Sequence, residues 1–69
     1  MRVFSENLKK ERLFNNLTQQ QMADVLGIPL KTYRSYESVG DWSRKPDMEL
    51  LVKIADILKV SLDELLGRK

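Results

Sequence analysis

Near the middle of this chain a helix stop and a helix start stand one residue apart, and no other feature constrains the fold as much. The stop is Gly27, the residue best able to take the left-handed conformation that ends a helix. The start is Pro29, which suits a helix's first turn because its missing N–H has no partner there anyway. Only Ile28 lies between them. The segment before Gly27 opens as clearly as it closes. Thr18-x-x-Gln21 is a capping box, and Leu17 and Met22 occupy the two positions of a hydrophobic staple. The spacing therefore predicts a helix over about 18–26 that buries Met22, Ala23 and Leu26, and a second over about 29–37. Two short helices joined this tightly must cross at a steep angle.

That arrangement is a helix-turn-helix. The remaining punctuation also gives helices. Ser5 reads as the N-cap of a first helix over about 5–15, with Phe4, Leu8 and Leu13 as apolar contacts and Asn15-Asn16 as the break. Asp47, after Pro46, caps a fourth helix over about 47–58 with a buried stripe of Met48, Leu51, Val52, Ala55 and Leu58. Ser61-x-x-Glu64 is a second capping box, with Val60 and Leu65 as its staple and Gly67 as the stop of a fifth helix over about 61–66. No stretch alternates as a strand does. The expectation is a single all-α domain over residues 1–69, with a core small enough that each apolar position matters.

Composition removes whole classes of function. The chain has no cysteine and no histidine, so disulfides, thiolate or imidazole metal sites and the usual nucleophile–base pairs cannot be built from it. Its three glycines, Gly27, Gly40 and Gly67, are far apart and form no phosphate-cradling loop. The expectation is a non-enzyme with no cofactor and no metal. With 42% hydrophobic and 32% charged residues the chain reads as a globular protein. It has no apolar run of membrane-spanning length and no signal-peptide core, so cytoplasm and no membrane partner are expected.

The net charge of +2 says little, but its distribution says more. Eight bases (Arg2, Lys9, Lys10, Arg12, Lys31, Arg34, Arg44, Lys45) face five acids in residues 1–46, against four bases and five acids in residues 47–69. A molecule with one basic side can orient toward a polyanion. On a wheel of about 100° per residue, Pro29, Tyr33 and Tyr36 fall on one side of the third helix, while Leu30, Lys31, Arg34 and Ser35 fall on the other. The first set suits the core. The second is either an ordinary solvated face or one whose cations meet guanine edges and phosphates in a major groove. Tyr33 and Tyr36 read as packing groups rather than as base-stacking platforms.

An ordered set of segments then decides between those readings. Leu17-Thr18-Gln19-Gln20-Gln21-Met22-Ala23, Gly27, Tyr33-Arg34-Ser35-Tyr36-Glu37 and the run from Ile54 to Leu66 resemble the Cro/CI-type (Xre) helix-turn-helix domain of phage repressors and small bacterial regulators. The resemblance covers residues 5–67. It implies a compact five-helix, lambda-repressor-like fold that binds double-stranded DNA and regulates transcription. By the same resemblance Leu30, Lys31, Arg34 and Ser35 are base readers, with Leu30 suited to a thymine methyl and Lys31 or Arg34 to a guanine O6/N7 edge. Thr18, Gln19 and Thr32 fall at phosphate-binding positions, helped by the N–H groups of the second helix's N-terminus. Arg12 and Glu37 match positions that pair the first helix with the third. The loop from Ser38 to Lys45 is a few residues longer than most members allow, which leaves the registry of Arg44 and Lys45 on phosphates open.

Family members bind palindromic operators as two-fold dimers, so the resemblance also implies a homodimer. Leu62, Leu65 and Leu66 supply more apolar surface than one short terminal helix buries in its own core, which makes them the expected interface. Trp42 is either a lid over the core or an exposed contact to DNA or a partner. The competing function is a protein-interaction module, such as an antitoxin, on the same fold. The basic outward face of the third helix favours DNA.

Overall fold

Capping chemistry close in sequence sets most of the helix ends in the computed structural model, which describes residues 2–38 and 46–67. Among these residues are five helices and no strand: α1 (Arg2–Phe14), α2 (Gln19–Leu26), α3 (Leu30–Glu37), α4 (Met48–Leu58) and α5 (Leu62–Leu66). Thr18 closes its capping box on α2, Asp47 accepts a hydrogen bond from the Leu50 N–H, and Ser61 closes the second box on α5. Gly27 ends α2 at φ 69°, where a side chain would be strained although nothing lies within 4 Å of its missing Cβ. Asn16 makes the same left-handed turn after α1, at φ 59°. Pro29 is the N-cap of α3 and not its first helical residue; it is exposed and off the core face expected for it.

α1 packs on α3 and α5, α2 on α3 and α4, and α4 on α5. The core they enclose is Phe4, Leu8, Met22, Ala23, Leu26, Tyr33, Tyr36, Leu51, Ile54, Ala55, Leu58 and Leu65. Among the described residues no helix is long and apolar enough to cross a membrane.

Three expectations require correction. Ser5 is not an N-cap. It lies inside α1, buried, and its hydroxyl bridges to the Tyr36 carbonyl (2.9 Å) and the Ser38 carbonyl (3.0 Å) at the end of α3. Leu13 faces solvent beside Phe14, which is 82% exposed, because Phe4, Ser5, Leu8 and Arg12 form the inward side of α1. In α4 the buried stripe is Leu51, Ile54, Ala55 and Leu58, while Met48 and Val52 stay exposed.

The predicted dimer surface is also altered. Leu65 is 0% exposed within its own domain and offers nothing to a partner. Leu62 and Leu66 are half-buried against the same core and keep part of their surface. α5 thus spends much of its apolar content on closing the domain over α1, where the Asn7 amide donates to the Glu64 and Leu65 carbonyls.

Candidate nucleic-acid interface

The candidate interface is built on α3, whose two faces have different chemistry. Tyr33 and Tyr36 fasten it to the core, their rings packed edge to face with centroids 6.5 Å apart. On the other side Lys31 and Arg34 are exposed, and their spacing of three residues makes them neighbours on the helix surface. Thr32 and Ser35 are half-exposed beside them. The Ser35 hydroxyl donates to the Thr32 carbonyl at 2.6 Å, so toward a ligand it is left as an acceptor. Leu30 divides its surface: part packs on the core and part remains accessible at the start of α3.

A second group lies where α2 begins. The first N–H groups of a helix have no intrahelical partner and attract anions. Here the Thr18 hydroxyl accepts from the Gln21 N–H at 3.0 Å, and the Gln21 side chain accepts from the Thr18 N–H at 2.8 Å. Gln20 points its amide along the helix to Asp24 at 2.9 Å. Gln19 behaves differently: its Nε2 donates to Glu37 Oε1 at 3.2 Å, which ties the first residue of α2 to the last of α3. Arg44, Lys45 and Trp42 lie outside the described residues.

Beneath both groups sits a buried ion pair. Arg12 Nε donates to Glu37 Oε2 at 2.7 Å and Nη2 to Oε1 at 3.2 Å, with side chains only 8% and 4% exposed. Arg12 Nη1 continues to the Leu17 carbonyl at 2.7 Å. The Tyr33 hydroxyl also donates to Glu37 Oε2, in a very short hydrogen bond. Hydrogen bonding to Glu37 raises the Arg12 pKa against the opposing effect of burial. Burial first, and then the Glu37 carboxylate, drive the Tyr33 phenol far above its ordinary range. Sequence patterning placed Tyr33 in the core but missed its hydroxyl's partner; the signal was the four-residue step from Tyr33 to Glu37 on one helix.

The structure therefore brings Lys31, Arg34, Ser35 and the accessible part of Leu30 onto one helix, and joins Gln19 to the Arg12–Glu37 pair. Among the described residues no group of three or more acids is placed to hold a metal ion.

The helix-turn-helix family model matches residues 8–65 of the chain. The uncharacterized HTH-type transcriptional regulator YqaE of Bacillus subtilis (strain 168) is 56% identical over 64 residues, covering 93% of this chain and 53% of its own. The cryptic phage CTXphi transcriptional repressor RstR of Vibrio cholerae serotype O1 is 54% identical over 63 residues, covering 91% of this chain and 54% of its own. The HTH-type transcriptional regulator AnsR of Bacillus subtilis (strain 168) is 41% identical over 64 residues, covering 93% and 53%. The chain spans about half the length of these curated relatives. No solved structure matches it.

Proposed function

The chain belongs to the helix-turn-helix family of the Xre type, and on that premise we propose that it binds double-stranded DNA sequence-specifically through α3 and represses transcription. The observation that carries this reading is the exposed Lys31–Arg34 face of α3, held out by Tyr33 and Tyr36 on the opposite side. Guanidinium and ammonium groups at that spacing suit the O6 and N7 acceptors that guanine presents in the major groove. The accessible part of Leu30 suits a thymine methyl, and Ser35 accepts from a base donor. Thr18, Gln19, Thr32 and the first N–H groups of α2 supply phosphate contacts, which position the domain without reading sequence. Arg44 and Lys45 extend the same electrostatic attraction. The phage repressor named among the relatives supports repression over activation.

One such helix reads only a few base pairs, too few to find a site among a genome's competitors. The functional unit in this proposal is a homodimer on a palindrome, with half-site centres about 10–10.5 bp apart. It works in the cytoplasm, with the DNA, and needs no cofactor. Selection of bound duplexes from a random pool tests the reading. A palindromic consensus that changes at defined positions with Arg34→Ala is the expected result. A pool without enrichment would sink it, and would turn attention to a protein partner.

A further inference from the structure

Glu37 sits at the junction of three elements, and all four of its acceptor positions are taken. Oε1 accepts from Arg12 Nη2 and from Gln19 Nε2, each at 3.2 Å. Oε2 accepts from Arg12 Nε at 2.7 Å and from the Tyr33 hydroxyl. A carboxylate with no proton only accepts, so its neighbour on α2 must present nitrogen to it and never oxygen. The side-chain amide of Gln19 otherwise has two nearly equivalent senses, and a flip exchanges a donor for an acceptor.

That restriction falls at a place where sense matters. Gln19 is the first residue of α2, beside the helix's unbonded N–H groups. Turned the other way, the amide would set its carbonyl oxygen where Nε2 now stands, against the Glu37 carboxylate, and no N–H would be left there for an arriving phosphate. Arg12 contributes a second condition. Without its charge, the Glu37 carboxylate would be an uncompensated anion beside the first residue of α2 and would repel an arriving phosphate.

We propose that Glu37, neutralised by Arg12 and braced by Tyr33, is a positioning residue for DNA-backbone binding: it locks the Gln19 amide with nitrogen inward, leaving the second N–H and the α2 terminus for a phosphate. The proposal rests on the DNA-binding reading above. It assigns Glu37 a role in affinity that the ion pair's contribution to folding does not include, and it makes that role act through Gln19 alone.

The test is a double-mutant cycle. The altered background carries Arg12→Met, Glu37→Leu and Tyr33→Phe together, which removes the carboxylate without stranding a charge or a hydroxyl. Affinity is measured for the duplex enriched from the random pool. In the native background Gln19→Ala is expected to weaken binding about five-fold, the worth of one net hydrogen bond, and in the altered background less than about two-fold. Equal losses in the two backgrounds, or no loss in the native one, overturn the proposal.

A measurement on the free protein stands beside the cycle in case the altered background folds poorly. In nitrogen-edited NMR spectra, one Gln19 Nε2 proton is expected to be shifted downfield and protected from exchange, unlike its partner. Two equivalent, fast-exchanging protons overturn the lock. Failure of the DNA-binding reading itself looks different: the Gln19 signal is intact and no duplex is retained, which ends the proposed role in affinity but not the hydrogen bond.

Discussion

Truncating Arg12 removes the only cation among the described residues that touches Glu37, and leaves a carboxylate inside the junction of α1, α2 and α3. In Arg12→Met the Glu37 side chain, 4% exposed, retains Gln19 and Tyr33 as its donors among the described residues. Stranding one member of a buried pair costs about 3–5 kcal/mol. For a chain of 69 residues, a typical total stability of 0.05–0.15 kcal/mol per residue gives about 3–10 kcal/mol. One substitution therefore removes between a third and all of the folding free energy. At a urea slope of about 1 kcal/mol/M, the midpoint falls by about 3 M or the protein is unfolded without denaturant. Glu37→Leu is expected to be as harmful, because it strands the Arg12 guanidinium instead.

The combined replacement separates charge stranding from lost packing. Arg12→Met with Glu37→Leu removes both charges but leaves the buried Tyr33 hydroxyl and the Leu17 carbonyl without partners. Each such loss costs about 1–3 kcal/mol. Adding Tyr33→Phe removes the first of these. The triple variant is thus expected to be more stable than either single one, since apolar substitution of a buried pair is often neutral or favourable. Urea melts followed by circular dichroism decide the matter. The reasoning is refuted if either single variant keeps its midpoint, or if the triple variant is less stable than both.

Other outcomes follow from single contacts. Arg34→Ala and Lys31→Ala are each expected to cost about 1–3 kcal/mol on the selected duplex and little on a scrambled one, whereas Gln19→Ala weakens both alike; titration of both duplexes with each variant checks this, and equal loss for Arg34→Ala removes it from base reading. Tyr33 ionises near its ordinary pKa of about 10 only when unfolded, so its contribution is intact below that pH and falls as pH rises beyond it. Melts at rising alkaline pH are expected to show a shallower decline for Tyr33→Phe than for the native protein, and parallel declines contradict the assignment. Ser5→Ala leaves the Tyr36 carbonyl without its hydroxyl donor and is expected to cost about 1–3 kcal/mol in urea melts; a change below about 0.5 kcal/mol shows that the contact is incidental.

What the sequence made legible was what it encodes locally. Thr18, Gly27, Asp47, Ser61 and Gly67 each act within four residues of their own position, through a cap or a left-handed turn, and each does so in the structure. The division of α3 into an aromatic inner side and a basic outer side was equally readable, because eight residues cover little more than two turns. α4 is less legible from its own residues. Its segment Met48-Glu49-Leu50-Leu51-Val52-Lys53-Ile54-Ala55-Asp56-Ile57-Leu58 is apolar at so many positions that two stripes fit equally well. The helices packed against it select the stripe containing Ile54.

Ser5 shows the same limit from the other side. A hydroxyl at the head of an apolar pattern is a sound N-cap signal, yet its partners lie 31 and 33 residues away, where no local rule reaches. The Glu37 junction combines both cases. Its step from Tyr33 is local, its links to Gln19 and Arg12 span 18 and 25 residues, and every one of those links ends on the same two oxygens. Fold and interface are joined there in a way that composition and periodicity do not express. In the role proposed above for Glu37, the Arg12 charge that stabilises the buried carboxylate also keeps it from repelling a phosphate at the start of α2.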